Sequence, residues 1–292
     1  MPSTRDIRRR IKSVKNTAQI TKAMQMVAAA KMRKAQSAAL VGRPYAELLN
    51  SMLTEAVQRI TAFEHPLMTA REVKKRAVIL VSTDRGLCGG LNSNLLREAA
   101  KLDKNTTVYI AAGKKGAQFV ARTKRQLAAE FSYKDTPAFA EARAISQFAQ
   151  ELFLKGEADA VDILYTNFIS TLVQQPKTIP FLPVGKIQGV KVGVGGQAEE
   201  LKTVTRTDTF EFEADEETVL GALLPHSLNF QMHQILLEAK ASEQSARMVA
   251  MKNATDNAKQ IIKDLTLEYN KLRQANITKE LLEIASAQMA VG

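Results

Sequence analysis

The stretch Met251-Lys-Asn-Ala-Thr-Asp-Asn-Ala-Lys-Gln-Ile-Ile-Lys-Asp-Leu-Thr-Leu-Glu-Tyr-Asn-Lys-Leu272 decides the fold of this chain. Its apolar side chains recur at intervals of three and four residues, at Met251, Ala254, Ala258, Ile262, Leu265, Tyr269 and Leu272. That spacing is typical of a helix that packs along another helix. The longer segment from His226 to Val291 contains neither Pro nor Gly. A helix of this length would extend for roughly 100 Å, so it needs a partner helix.

The N-terminal residues 3–41 form a second segment without Pro or Gly. Ser3 and Asp6 have the spacing of a capping box, which predicts that a long helix begins here. Because the two long helices would join the middle of the chain at their inner ends, they can pair only in antiparallel orientation. Residues 23–30 of the first helix are apolar on almost every side. This apolar collar is enclosed either by a sleeve of other protein or by a small domain of the chain itself.

The middle of the chain alternates between strand and helix patterns. Continuous apolar runs predict buried parallel strands at Arg76–Ser82, Thr107–Ala112 and Val161–Asn167. Helices are predicted at Ser93–Lys101, Ala117–Arg125 and Pro137–Lys155. Strands that alternate with helices at this spacing indicate a parallel sheet covered by helices.

Further elements are predicted between that sheet and the last helix. Thr178–Val184 is predicted as an edge strand, because Pro180 and Pro183 exclude it from the interior of a sheet. A Gly-rich loop at 186–200 is followed by a half-exposed strand at Val204–Glu213.

These patterns predict an α/β protein. Its two parts are a long antiparallel coiled coil of the N- and C-terminal helices and a Rossmann-like α/β domain with a mainly parallel sheet. The expected boundaries are 1–63 for the N-terminal helical segment, 74–213 for the α/β domain and 214–292 for the C-terminal helical segment. Gly221 and Pro225 are expected to interrupt the last helix near its start.

Charge and composition narrow the possible partners. The formal net charge is +11, and residues 1–34 hold ten Lys and Arg against Asp6 alone, a net of 10 − 1 = +9. Such an arm suits nucleic acid, anionic lipid, the acidic inner face of a protein assembly, or simply solvent. One Cys excludes an internal disulfide and a CxxC metal site. The absence of an 18-residue apolar run and of a signal-peptide pattern predicts a soluble or peripheral protein.

The patterns that could carry chemistry are weak. Gly86, Gly89 and Gly90 follow a predicted strand, but their spacing departs from the dinucleotide-binding G-x-G-x-x-G and favours a structural or interface turn. No G-x-x-x-x-G-K-[ST] phosphate loop occurs. His226 and His233 share one helical face and favour a partly exposed pair over a metal site.

Three stretches carry a resemblance to a known family. They are Ile20-Thr-Lys-Ala-Met-Gln-Met-Val-Ala-Ala-Ala-Lys-Met-Arg-Lys-Ala-Gln36, Ser82-Thr-Asp-Arg-Gly-Leu-Cys-Gly-Gly-Leu-Asn92 and Ile277-Thr-Lys-Glu-Leu-Leu-Glu-Ile-Ala-Ser286. In this order they closely resemble the gamma subunit of F-type ATP synthases, and the resemblance spans the whole chain. The family usually has Gly after that last Ser, whereas this chain has Ala287, a departure that bears on how the last turn packs or bends.

The resemblance implies a rotor shaft that performs no bond chemistry and holds no cofactor. In that family the terminal helices turn inside a ring of three alpha and three beta subunits, and the α/β domain forms a foot with the epsilon subunit on the membrane rotor ring of c subunits. Proton flow then drives ATP synthesis in the ring. The lack of a transit peptide and of a regulatory Cys pair points to the cytoplasmic side of a bacterial inner membrane, with peripheral association.

The resemblance also implies which residues couple rotation to catalysis. Lys22, Met24 and Lys31 match the collar that faces the acidic loops of the beta subunits. A C-terminal set matches the positions that couple the shaft to the ring, namely Arg273, Gln274, Thr278, Glu280 and Glu283. Phe212 and Glu213 lie where the foot of the family contacts the rotor ring.

Two other function classes stay open from the residues alone. A nucleic-acid-binding protein could use the basic arm, although the first 40 residues contain no aromatic side chain. A nucleotide-dependent enzyme could use the α/β domain.

Overall fold

A computed structural model describes residues 3–59, 65–184 and 215–291. In chain order its elements are α1 (Thr4–Val41), α2 (Arg43–Arg59), β1 (Arg76–Val81), α3 (Leu91–Lys101), β2 (Thr107–Ala112), α4 (Lys114–Arg122), β3 (Gln126–Phe131), α5 (Phe139–Leu154), β4 (Ala160–Phe168), β5 (Gln174–Leu182) and α6 (Glu216–Val291). The two terminal helices and the alternating middle were predicted, so the α/β fold class is confirmed.

The first helix begins at the predicted cap. The backbone N–H of Asp6 donates to the Ser3 hydroxyl at 3.2 Å, and the backbone N–H of Ser3 donates to the Asp6 carboxylate at 3.3 Å. These reciprocal bonds satisfy donors that a helix start leaves unpaired. The Ser3 hydroxyl, which donates to the Asp6 carboxylate at 2.7 Å, and the Ser3 backbone N–H lower the pKa of Asp6, because the ionised carboxylate is the better acceptor.

The last helix is longer than the predicted one. It has 76 residues and runs through Gly221 and Pro225, which were expected to interrupt it. Asp215 caps it by accepting from the backbone N–H of Thr218 at 3.1 Å. Leu220 and Leu224 are buried on either side of Gly221, so core packing outweighs the helix-breaking tendency of Gly and Pro.

The described strands form one sheet in the order β3-β2-β1-β4-β5. β1 pairs in parallel with β2 and β4, and β2 pairs in parallel with β3. β5 pairs antiparallel with β4 at the edge of the described sheet, as the prolines of the predicted edge strand required. The predicted strand at 204–213 lies outside the described residues.

One strand was not predicted, and the start of α4 was predicted wrongly. Residues 126–131 form β3, for which no strand was predicted, and α4 begins at Lys114 instead of Ala117. Gly113 explains the early helix start, since its φ of 107° turns the chain sharply between β2 and α4. A Cβ atom at this position would overlap the Ser82 carbonyl oxygen.

The two faces of β1 pack into separate cores. Ile79 packs in a cluster with Ile145 of α5 and Leu228 of α6. Leu80 points to the other face, where it packs with Leu95 of α3. This alternation is the two-residue period of a strand that is buried on both sides.

The chain divides into two compact units, residues 1–27 with 248–292 and residues 28–247. The first unit consists of the N-terminal part of α1 and the C-terminal part of α6. The second holds the sheet and the rest of the helices. Within this second unit, Ala35 of α1 packs in one cluster with Ala241 of α6, and Gly42, which follows α1, lies against Gln234. Residue numbers that rise in one helix fall in the other, so α1 and α6 run antiparallel.

Candidate coupling surfaces

The helix pair of the first unit has a narrow buried seam. Thr21 of α1 and Thr255 of α6 share a hydrogen bond of 2.7 Å between their hydroxyl oxygens. Each hydroxyl also lies within hydrogen-bonding distance of the preceding turn of its own helix, Thr21 at 3.1 Å from the Ala18 carbonyl and Thr255 at 2.8 Å from the Met251 carbonyl. The two buried hydroxyls therefore have hydrogen-bond partners within the helix pair.

The buried seam ends at Leu272, the last residue of the predicted apolar stripe. Met251, Ala258 and Leu265 are buried, and Leu272 is half-buried. From Arg273 to Ser286 every residue is exposed. The stretch of α6 from Arg273 to Ser286, 14 residues or roughly 21 Å, therefore has no partner within the described chain.

This free end of α6 carries an apolar face. Ile277, Leu281 and Ile284 are spaced by four and three residues and are 48%, 62% and 59% exposed. Residues at that spacing lie on one side of a helix. An exposed apolar stripe of this kind marks a surface that another protein covers.

All five predicted C-terminal coupling residues lie on this free end and are exposed. They are Arg273, Gln274, Thr278, Glu280 and Glu283. The Thr278 hydroxyl donates to the Gln274 carbonyl at 3.0 Å, and Lys279 pairs with Glu283 at 3.6 Å. Both contacts stay within one turn of the helix, so these side chains can meet a partner.

The collar of α1 is only partly covered by its own chain. Ala28 is buried and Met24 is half-buried, whereas Met26 and Val27 are 59% and 54% exposed. A small domain of the chain itself therefore does not enclose the described collar. Lys22 is exposed, and its ammonium donates to Gln25 at 3.3 Å within its own helix.

The N-terminal half of α1 presents cations to solvent. Six exposed side chains take part in no ion pair within the described residues, namely Arg5, Arg8, Arg9, Arg10, Lys12 and Lys15. Unpaired cations along one helix make a positive surface that attracts acidic partners.

Lys31 forms an ion pair within the described residues, unlike Lys22, the other predicted cation of the collar. Its ammonium lies 2.6 Å from the Asp135 carboxylate, with both side chains roughly half exposed. The hydrogen bond from Lys31 holds the pKa of Asp135 below its usual value. The structure thus positions Lys31 by an internal contact, whereas Lys22 stays outside such pairs.

The Gly-rich loop at residues 84–90 is an internal interface turn. Arg247 of α6 donates to the Gly86 carbonyl at 3.2 Å and pairs with Glu243 at 2.8 Å. Glu243 also binds Lys240 at 2.9 Å, and the Lys240 and Glu243 side chains are 3% and 5% exposed. A buried carboxylate between two cations locks the loop against α6.

That packing fills the place where doubly wound folds bind nucleotides. Ligands of such folds lie beyond the carboxyl ends of the strands at the point where strand order reverses, here between β1 and β4. In this chain α6 occupies the position. Ser242 donates to the Thr166 carbonyl at the end of β4 at 3.0 Å, and Ser245 donates to the Thr171 carbonyl at 2.8 Å. The interface-turn interpretation of the glycines is supported by these contacts.

The single cysteine lies within the same loop. Cys88 is buried, and the Asn92 amide lies 3.3 Å from its sulfur. Burial raises the pKa of the thiol, which disfavours the reactive thiolate. The position suits a packing role.

His226 and His233 contribute to packing. The His226 Nε2 atom lies 2.6 Å from the Tyr45 hydroxyl, and the His233 Nε2–H donates to the Pro137 carbonyl at 3.2 Å. Both imidazoles flank the Phe139 ring, with centroid distances of 5.7 and 5.8 Å.

Sequence reasoning missed Leu87. This residue is 64% exposed at the tip of the Gly-rich loop and has a φ of 62°, which a branched side chain adopts only when its surroundings impose it. An exposed Leu held in this conformation is a candidate contact residue. The only local signal was its position between Gly86 and Gly89.

The predicted foot residues Phe212 and Glu213 lie outside the described residues. Within the described ranges, no helix combines the length and apolar character needed to cross a membrane.

The chain is similar to known proteins over essentially its whole length. A family model described as ATP synthase matches residues 3–291. The ATP synthase gamma chain of Opitutus terrae is 50% identical over 99% of both chains, and that of Methylacidiphilum infernorum is 45% identical over the full length of both.

Solved structures show the same fold. A chain of the Euglena gracilis mitochondrial ATP synthase, in a structure of OSCP/F1/c-ring in rotational state 3, superimposes with a TM-score of 0.66 at 20% identity, covering 99% of this chain and 94% of that chain. A chain of the rotor of that synthase in rotational state 1 gives 0.63 at 19% identity, covering 94% and 98%. Because the family model and the relatives both extend over essentially the whole sequence, the chain belongs to the ATP synthase gamma chain family.

Proposed function

We propose that the chain is the central rotating stalk of an F1Fo ATP synthase and couples transmembrane proton flow to ATP synthesis or hydrolysis. The observation that carries this proposal is the free end of α6, a helix with an exposed apolar face and, from Arg273 to Ser286, no partner in the described chain. An exposed apolar stripe on a helix without a partner marks a surface that another protein covers.

The partner that fits is a closed ring of three alpha and three beta subunits. A sleeve of this type surrounds the free end and the exposed part of the collar on all sides. Its acidic inner loops would face the unpaired cations of α1 and the ammonium of Lys22.

The chain acts on catalysis mechanically and is not itself an enzyme. Because it is asymmetric, each orientation contacts the three beta subunits differently. Contacts that favour one nucleotide affinity over another shift the population of each beta subunit as the shaft turns. The collar residues Lys22, Met24 and Lys31 would carry these contacts together with the free end of α6.

Leu87 and Arg85 add a second contact region. Both residues lie on the loop that Arg247 and Glu243 hold against α6, so a force on this loop is transmitted to the shaft helix. Without the contacts of Arg247 to the loop and to Glu243, a force on the loop would displace the loop instead of moving the shaft helix.

The foot is assigned to the α/β domain, with the epsilon subunit and the membrane rotor ring of c subunits as partners and Phe212 and Glu213 as ring contacts. The chain would then lie on the cytoplasmic side of a bacterial inner membrane and associate with it peripherally through the complex. The family resemblance and the relatives from bacteria support this location.

Two rival functions are less well supported. A nucleotide-dependent enzyme would need the crevice that α6 fills with Ser242 and Ser245. A nucleic-acid-binding protein would explain the cations of α1, but not the apolar stripe on the free end of α6.

The mass of the native complex tests the proposal. The full-length chain carrying an affinity tag is purified with its partners from gently solubilised membranes and weighed by native mass spectrometry. We expect one copy of the chain with two kinds of partner in three copies each. A chain that purifies alone, or that binds nucleic acid in a salt-dependent manner instead, would contradict the proposal.

A further inference from the structure

β3 is an edge strand whose outer side is open in the described structure. Within the described ranges it pairs with β2 alone. Four of its six residues are exposed, and Leu127 is 39% exposed. A strand with one neighbour leaves half of its backbone N–H and C=O groups unpaired, which makes it a template for another strand.

The two edges of the described sheet differ in how they resist pairing. β5 contains Pro176 and Pro180, which lack the N–H group that an added strand would need. β3 contains no Pro, so each of its residues keeps its donor. Natural sheets protect exposed edges with Pro, charge or bulges; β3 has Glu130 and one register irregularity opposite Tyr109 and Ile110, but no Pro. The open edge is therefore on the β3 side.

The flanks of β3 define the charge of a partner. Arg122, Lys124 and Lys134 are exposed on the two sides of the strand, against Glu130 within it and Asp135, whose charge the ion pair with Lys31 offsets. Arg125 does not add to this surface, because its guanidinium donates to the Leu102 and Ala100 carbonyls at 2.8 Å. The surface around the edge is positive, which favours an acidic partner.

We infer that β3 is an interaction edge that accepts an extended, acidic segment of another protein as an additional strand. Backbone hydrogen bonds to β3 would supply affinity, Leu127 would receive an apolar side chain of the segment, and the flanking cations would pair with its carboxylates. This inference rests on the proposed function in one respect, because the partner is sought within the assembled complex.

Hydrogen–deuterium exchange of residues 126–131 tests the inference. The amides are compared between the isolated full-length chain and the complex purified through a tag on this chain. We expect exchange in the complex to be slower by about tenfold or more, since pairing with a new strand protects the outward N–H groups. Equal exchange in the two samples would overturn the inference.

Variants separate strand addition from general burial. Leu127→Asp places a negative charge where an acidic segment would bind, so the protection of residues 126–131 should fall by about tenfold. Leu172→Asp is the matched control, because Leu172 is 78% exposed on the β4–β5 connection and the same change there should leave the protection intact. Lys124→Glu should weaken the protection in the same direction, with Lys104→Glu as its control.

The possible outcomes distinguish this inference from the proposed function. A complex with three-fold partners but unprotected β3 amides would overturn only the inference. A chain that purifies alone would overturn both. Protection that appears in the isolated chain as its concentration rises would identify a second copy of this chain on the edge, and would also overturn the inference.

Discussion

Thr21 and Thr255 join the two helices of the shaft through a hydrogen bond of 2.7 Å between their hydroxyl groups. Both side chains are buried, at 9% and 3% exposure, in a seam that is otherwise lined by Ala, Met and Leu. A polar pair inside an apolar seam fixes one register, because sliding either helix by a turn would leave both hydroxyls without each other.

Replacement of both threonines should cost less than the sum of the two single replacements. Thr21→Val leaves the Thr255 hydroxyl in an apolar seam with only its own helix as partner, so we expect a loss of about 1 kcal/mol of unfolding free energy. The double variant Thr21→Val with Thr255→Val should be less destabilised than the sum of the singles. A double-mutant cycle by urea unfolding of the full-length chain measures this coupling. Strict additivity would contradict the register role.

Met24→Lys should uncouple rotation from catalysis while leaving assembly largely intact. Met24 is half-buried in the collar, and a cation there would bind an acidic loop of the ring too strongly. The measurement is ATP-driven proton pumping against ATP hydrolysis in membranes that carry the variant. Gln19→Lys adds the same charge at an exposed position outside the collar and should pump normally. Unchanged pumping by Met24→Lys would show that the collar does not carry the coupling contact.

Glu243→Ala should destabilise the α/β domain by about 3–5 kcal/mol, because it leaves Lys240 and Arg247 as buried cations without their carboxylate. The matched control is Glu151→Ala, which removes a helical partner of Lys155 where both side chains are about 60% exposed. That change should cost under about 1 kcal/mol. Urea unfolding measures the unfolding free energy of both variants. If Glu243→Ala and Glu151→Ala lost the same amount of unfolding free energy, the buried triad would not lock the loop.

Glu238 should make the stability of the chain depend on pH near neutrality. Burial raises the pKa of this carboxyl to about 7, against the hydrogen bonds that it accepts from the Phe168 backbone N–H at 3.2 Å and from Tyr165. The native state therefore binds the proton more tightly than the unfolded state. The stability due to this proton is fully present below the unfolded pKa and is lost as pH rises from about 4.5 to about 7.

Glu238→Gln keeps the acceptor oxygen and cannot ionise. We expect its melting temperature to exceed that of the parent at pH 8 by about 2–4 °C, with no difference at pH 4.5. Thermal unfolding of the full-length chain across this range is the measurement. A constant difference between the two proteins at all pH values would show that the carboxyl does not titrate in this window.

Local sequence patterns predicted the regular elements that bury a periodic face. The strands β1, β2 and β4 were predicted because their apolar runs are covered on both sides, and the helix pair because its stripe continues for many turns. The antiparallel orientation followed from connectivity alone. β3 was missed because Gln126–Phe131 lies at an edge and has neither an apolar run nor a clear alternation.

The long-range contacts that position the site could not be predicted from local sequence patterns. Arg247 reaches Gly86 across 161 residues of sequence, and Lys31 reaches Asp135 across 104. No spacing rule marks such pairs, because they depend on how the helices lie on the sheet. The coupling residues on α1 and α6 came from family resemblance, and the structure adds that those on α6 beyond Leu272 are free to meet a partner.

Direct observation of rotation tests the central claim. A cysteine introduced as Lys104→Cys can be labelled selectively, since the only native thiol, Cys88, is buried. With the partner ring fixed to a surface and a gold particle on this cysteine, ATP should drive rotation in one direction, in steps of a third of a turn. A particle that stays at one angle while the same complexes hydrolyse ATP would contradict the account.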